Sequence, residues 1–155
     1  MIDEGQEAPD FELAADDGTP VRLSALRGTP VVLYFYPRDD TSGCTKQACG
    51  LRDVYDEIKR AGALVLGVSP DEEASHARFK AKHALPFRLL ADPDHEVAEA
   101  YGVWREKKLY GRTFMGVHRS TFVINQSGTV ERALYGVKPA SHAVAVLAAL
   151  GASAG

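Results

Sequence analysis

Short apolar runs that alternate with stretches of helical period restrict this chain's fold more than any other feature. PVVLYFY (30–36) and ALVLGVS (63–69) are continuous apolar segments of strand length, and FRLLAD (87–92) is a shorter third. A strand that is apolar on both sides must be covered on both faces, as in the middle of a parallel sheet. Between the first two runs, Leu51, Val54, Tyr55 and Ile58 recur at helical spacing, and the pattern stops near Gly62. Ser69-Pro70-Asp71-Glu72 reads as a capping box with proline at the first helical position, opening a helix to about His83. Asp92-Pro93 reads as the cap of a short helix that ends at Gly102.

The remaining segments read as antiparallel pairs and a closing helix. DFEL (10–13) and PVRL (20–23) form a small hairpin, followed by one helical turn from Ser24 to Gly28. STFVI (120–124) and TVERALY (129–135) flank Gln126-Ser127-Gly128 as a second hairpin. REKKLYGRTFMG (105–116), with Trp104 and Tyr110, reads as a solvated polar loop. Pro139 opens a last helix carrying Val144, Leu147 and Leu150, and the small tail GASAG (151–155) is expected to fray. Together these describe one α/β domain over 1–155, a mixed central sheet flanked by helices.

Composition narrows the function classes. The 155 residues are 45% apolar and 25% charged, with a formal net charge of −3, which fits a globular chain without a nucleic-acid-binding patch. The acidic start MIDEGQEAPDF has no apolar signal core, and no apolar run approaches the ~20 residues of a membrane span, so the expected location is cytoplasmic. Paired cysteines in a reducing compartment are more often catalytic or metal-binding than structural. The five histidines (76, 83, 95, 118, 142) are scattered away from Cys44 and Cys49, so no metal and no cofactor is expected.

Cys44 follows PRDDTSG, the loop that leaves the first buried strand, and stands at the start of a helix. Free N–H groups and the positive end of the helix dipole favour an anion there, and the thiolate is the nucleophilic form. Thr41 lies three residues before it, with a hydroxyl able to accept a cap bond or to donate to a bound oxygen. Pro37 fixes the strand exit and is placed to wall one side of the sulfur. Cys49 lies five positions on. In an unbroken helix the two Cα atoms are roughly 8–9 Å apart, and a disulfide needs less than ~7 Å. A bond between them therefore requires the first turns to unwind. This suggests that Cys44 reacts first and Cys49 reaches it by local unfolding. The plain alternative is an inert buried cysteine at either position.

The stretch YFYPRDDTSGCTKQACGLRD (34–53) resembles the peroxiredoxins, most closely the peroxiredoxin Q or bacterioferritin comigratory protein group of atypical 2-Cys enzymes. Pro37, Thr41 and Cys44 match the P-x-x-x-T-x-x-C core, and Cys49 matches the group's C-x-x-x-x-C spacing. HRSTFVI (118–124) resembles the segment that carries the family's active-site arginine, here Arg119. The resemblance implies a thioredoxin-like fold with an N-terminal β-hairpin extension. It implies reduction of hydrogen peroxide and alkyl hydroperoxides, with Cys44 peroxidatic, Cys49 resolving, Thr41 orienting the peroxide, Pro37 shielding the sulfur and Arg119 holding the thiolate. It also implies an intrachain Cys44–Cys49 disulfide recycled by thioredoxin or a similar dithiol. Ser42 stands where many relatives have proline. With no cysteine after Cys49, a monomer is expected.

Other residues have plainer readings. Gln47, three residues after Cys44, reads as a plain helix position rather than a site residue, Asp39 and Asp40 are cap and turn residues, His118 is a loop residue, and the other four histidines lie at the surface or at helix ends. A disulfide reductase, a non-enzymatic redox sensor or holdase, and a glutathione peroxidase are the rivals. The five-residue spacing argues against the first, and the glutamine and tryptophan pattern of the last is not found.

Overall fold

A computed structural model describes residues 2–154, with side chains through Gly151. Its centre is β3 (Val31–Phe35), all five residues of which are buried. It pairs in parallel with β4 (Leu64–Ser69), which pairs in parallel with β5 (Arg88–Ala91). On its other side β3 pairs antiparallel with β8 (Ser120–Ile124), followed by β9 (Val130–Tyr135). The N-terminal hairpin β1 (Glu12–Ala15) and β2 (Pro20–Arg22) joins the far edge through β5, giving the order β2-β1-β5-β4-β3-β8-β9. The mixed sheet, its hairpin extension and its covered faces are a thioredoxin-like arrangement, as the sequence led us to expect.

Alternation along β3 splits the core in two. Val31, Leu33 and Phe35 pack with Phe11, Tyr101 and Phe122 on one face. Val32, Tyr34 and Tyr36 pack with Cys44, Leu51, Ile58 and Val146 on the other. A side chain such as Phe122, fully buried, contributes about 2–3 kcal/mol of transfer free energy. The helices α1 (Ser42–Asp53), α2 (Tyr55–Arg60), α3 (Glu73–His83) and α5 (His142–Ala154) cover the Tyr34 face. The short α4 (Glu96–Ala100) adds Val97 and Ala98 to the other. Gly67 explains the one gap in ALVLGVS. A Cβ there would lie 2.8 Å from Tyr34 Cζ and 2.9 Å from Leu89 Cδ2, so the Tyr34 ring occupies the space a side chain would take.

Several local expectations change. The helix read across 51–62 is two, because Val54 takes φ −111°, ψ 12° between α1 and α2. The proposed capping box does not form. Ser69 stays in β4 opposite Ala91, its hydroxyl donates to Asp71 Oδ2 at 2.6 Å, and α3 begins only at Glu73. Sheet pairing outcompetes the local cap signal. Asp92 does cap, but from further away, accepting the N–H groups of Val97 at 3.3 Å and Ala98 at 3.0 Å. Pro139 opens a 3-10 turn, and α5 follows it from His142 to Ala154, through most of the tail expected to fray; Gly155 lies outside the described residues.

The segment 105–116 is not a loop. It forms a separate hairpin of β6 (Trp104–Leu109) and β7 (Arg112–Val117), turned by Tyr110 and Gly111 with φ of 51° and 74°. Two positive φ values in a two-residue turn match the right-handed strand twist. Among the described residues no helix is long and apolar enough to cross a membrane.

Candidate active site

Strand register brings the two distant motifs together. Phe35, the last residue of β3, stands opposite Ser120, the first of β8. The loop leaving β3 and the link entering β8 therefore meet at one end of the sheet. Arg119 sits in that link, and its carbonyl accepts the N–H groups of Gly136 at 3.0 Å and Val137 at 3.2 Å, which fixes its backbone. Its guanidinium reaches back to α1, where Nη1 donates to Cys44 Sγ at 3.3 Å and to Gln47 Oε1 at 2.6 Å. Gly43 makes the approach possible, since a Cβ there would lie 3.2 Å from Arg119 Nη2 and 3.4 Å from Pro139 Cγ.

Cys44 is the third residue of α1 and only 1% exposed. The helix directs free N–H groups and its positive end toward this turn. Thr41 is the N-cap residue, with extended backbone, but its side chain makes no cap bond. Its exposed hydroxyl donates to the Arg38 carbonyl at 3.1 Å instead. Pro37 is half-buried at the strand exit. Cys49 is a half-buried free thiol on the same uninterrupted helix as Cys44, itself free. On ideal helix dimensions their Cα atoms are roughly 8–9 Å apart, so this is the fully folded, unbridged arrangement.

Gln47 is not a plain helix position. It is fully buried and takes the shorter of the two Arg119 bonds. Its three-residue offset from Cys44 puts both on one helix face, a signal that the sequence did carry. Lys107 was missed because its segment was read as loop. From β6 it lies within the field of the site: burial, then Arg119, hold its ammonium below the usual lysine range, while Cys44 opposes them. Asp40 pairs with Lys82 at 2.8 Å on the surface, whereas Asp39 is buried.

Two of the histidines expected at the surface or at helix ends are fully buried: His142, which does stand at the start of α5, and His76, inside α3. His142 lies beneath the site, with Nε2 2.7 Å from Thr121 Oγ1 and its ring 5.6 Å from that of Tyr34. Burial, then the nearby Arg119 charge, push it down to about 4. The unfolded chain takes up this proton near pH ~6.5. The stability that neutral His142 contributes is thus complete above that pH and is lost as pH falls toward 4. The loss amounts to about 3 kcal/mol. Urea unfolding across that range should show it, and His142→Asn should flatten the slope; an unchanged slope would refute the assignment.

The chain matches the model of the AhpC/TSA family over residues 4–133. It is 46% identical to peroxiredoxin Bcp of Bacillus subtilis over 149 residues, 96% of this chain and 95% of that one. With peroxiredoxin Bcp of Escherichia coli K12 it shares 46% identity over 92% of each. The structure of a Xanthomonas campestris bacterioferritin comigratory protein, studied for alkyl peroxide reduction, superposes with a TM-score of 0.92 at 41% identity, covering 99% of this chain and 100% of that one. A Xylella fastidiosa PrxQ variant superposes with a TM-score of 0.94 at 32% identity, covering 100% and 99%. With two motifs joined at one site and these relatives along nearly its whole length, the chain belongs to the AhpC/TSA family, among the Bcp or PrxQ peroxiredoxins.

Proposed function

We propose that this protein is a thiol peroxidase that reduces hydrogen peroxide and organic hydroperoxides through Cys44. The observation that carries the reading is Arg119 Nη1 at 3.3 Å from Cys44 Sγ, at the N-terminus of a helix. A guanidinium stays charged and donates in a planar fork, so it stabilises the thiolate and then the charge that grows on the peroxide oxygens. Gln47 holds it in place.

The Cys44 thiolate attacks the terminal oxygen of the hydroperoxide. An S–O bond forms, the O–O bond breaks, and the alkoxide or hydroxide leaves and takes a proton. Thr41 orients the peroxide and Pro37 shields the sulfur. The sulfenic acid then condenses with the Cys49 thiol, releasing water and forming the Cys44–Cys49 disulfide once α1 has begun to unwind. Thioredoxin or a similar dithiol returns both thiols through a mixed disulfide. We place the enzyme in the cytoplasm as a single-domain monomer with no cofactor. A resolving thiol on the same helix as Cys44, which needs no second subunit, supports the monomer.

Stopped-flow mixing of the reduced protein with hydrogen peroxide and with an alkyl hydroperoxide tests the reading. Consumption should be orders of magnitude faster than by free cysteine. Arg119→Met should slow it by about 10²–10³-fold, the usual cost of removing one aligned donor from developing charge. A wild-type rate no faster than free cysteine would sink the proposal, and an unaffected Arg119→Met would remove the arginine from the chemistry.

A further inference from the structure

The loop 37–41 is also tied down on a side that the peroxide chemistry does not use. Asp39, 7% exposed, lies in its middle. Its Oδ1 accepts the Tyr36 hydroxyl at 2.6 Å, and its Oδ2 accepts the Ser75 hydroxyl at 2.8 Å. His76 Nδ1 is 2.8 Å from the same Oδ2, and His76 Nε2 is 2.9 Å from the Leu90 carbonyl oxygen. The Asp39 N–H donates to Asp71 Oδ2 at 2.7 Å. The loop is thus clamped to α3 through Ser75 and His76, and His76 is clamped in turn to β5.

Donor and acceptor roles follow from these partners. A carbonyl only accepts, so His76 Nε2 carries a hydrogen. Asp39 takes a hydroxyl at each oxygen, the pattern of a carboxylate, so the hydrogen facing it belongs to His76 Nδ1. This assigns a buried imidazolium–carboxylate pair. An Nε2 that donates offers no lone pair to a cation. The approach of Asp39, Asp71 and His76 to within 4.8 Å of one another therefore does not make a metal site.

Asp39 lies five residues before Cys44 and is joined to the core that holds the sulfur through the Tyr36 hydroxyl. Tyr34, buried in β3, feels both Cys44 and Asp39, and Tyr36 packs in the same core as Cys44. A carboxylate without its partner in this dry region would oppose a thiolate nearby. The other groups around the sulfur are Arg119 from the β7–β8 link, Lys107 from β6 and the neutral His142 of α5. Among the described residues none of these three hydrogen-bonds to or pairs with Asp39, beside which the other carboxylate is the half-buried Asp71.

We propose that His76 is a positioning residue for the peroxidase. Acting through Asp39, it holds the loop 37–41 against α3 and cancels the carboxylate charge that would otherwise disfavour the Cys44 thiolate. This rests on the peroxidase reading, yet its test needs no peroxide.

Cys44 is titrated by the ultraviolet absorbance of its thiolate and by iodoacetamide alkylation across pH, in a Cys49→Ser background so that one thiol responds. His76→Gln should lower the thiolate fraction at neutral pH about tenfold, the effect of one uncancelled like charge. Adding Asp39→Asn should bring the fraction back to within about threefold of the parent, the residue of an imperfect isostere. Asp39→Asn alone should not lower it. A purely structural clamp predicts the reverse, with the double variant as impaired as His76→Gln. That result, or a His76→Gln protein that titrates like the parent, overturns the proposal. Should His76→Gln fail to fold, Asp39→Asn decides alone, and a lowered thiolate fraction there overturns it equally. A parent with a normal titration but slow peroxide consumption would sink the peroxidase reading and leave this result standing.

Discussion

Cys44→Ser is expected to abolish peroxide reduction, with a rate loss on the order of 10⁴-fold or more. A serine hydroxyl at this position keeps the shape of the site, the Arg119 fork and the helix terminus. It lacks what these favour, an anion that forms near neutral pH on a polarisable atom. Serine is close to cysteine in volume, and Arg119 Nη1 stands ready as a partner for its buried hydroxyl, so the packing of α1 against β3 should stay intact. Thermal unfolding should therefore move by only a few degrees while activity disappears, since a buried hydroxyl with a hydrogen-bond partner costs little. Peroxide consumed by Cys44→Ser as fast as by the wild type would end the mechanism, whatever its stability.

Cys49→Ser should separate the two halves of the cycle. Among the described residues the hydrogen bonds of Arg119 go to Cys44 and Gln47 and not to Cys49, so the first oxidation should keep its wild-type rate within about twofold, as expected for independent sites. Turnover driven by thioredoxin or a similar dithiol should fall by on the order of 10²-fold. The sulfenic acid then has no intrachain thiol to condense with, and it passes to sulfinic acid under excess peroxide. Mass spectrometry after one equivalent of peroxide should find one added oxygen in the variant and a loss of two hydrogens in the wild type. The wild-type disulfide also requires that α1 open, because roughly 8–9 Å between Cα atoms exceeds what a disulfide spans. Amide exchange across the first turns of α1 should accelerate on oxidation in the wild type alone. Normal dithiol-driven turnover in Cys49→Ser would remove Cys49 from the resolving role.

The interval between these two reactions is where stability meets function. Val54 already divides α1 from α2, so opening the N-terminal helix does not have to unravel its successor. Leu51, fully buried, anchors the end of α1 that must stay. Asp39 anchors the loop on the other side of Cys44. In the proposed cycle the segment that opens is thus bounded on both sides by buried contacts, which would confine the opening to a local event.

Much of this was legible in the residues because it is local. Apolar runs marked β3, β4 and β5, and the loop before Cys44 marked a helix start next to a buried strand. The C-x-x-x-x-C spacing alone says that a Cys44–Cys49 bond would require unwinding, since helix rise and rotation are constants. Where local signals competed with sheet pairing, they lost. Ser69 completed β4 and did not cap α3, and 105–116 paired into β6 and β7 across Tyr110-Gly111.

What only the tertiary structure decided were the partners across long separations. Nothing in the local pattern places Arg119 beside Cys44, 75 positions away. The antiparallel register of β3 and β8 does so, by bringing Phe35 opposite Ser120. Likewise His76 and His142 look like ordinary polar helix residues until the sheet beneath buries them, and Asp39 looks like a turn former until α3 supplies its partner, 37 positions on. The sequence by itself singled out Cys44 at a helix start and a Cys49 spacing at which a bond between the two would require the helix to open. The fold determined which cation meets that atom and which buried pair holds its loop, because pairings at such distances exist only once the strands have found their register.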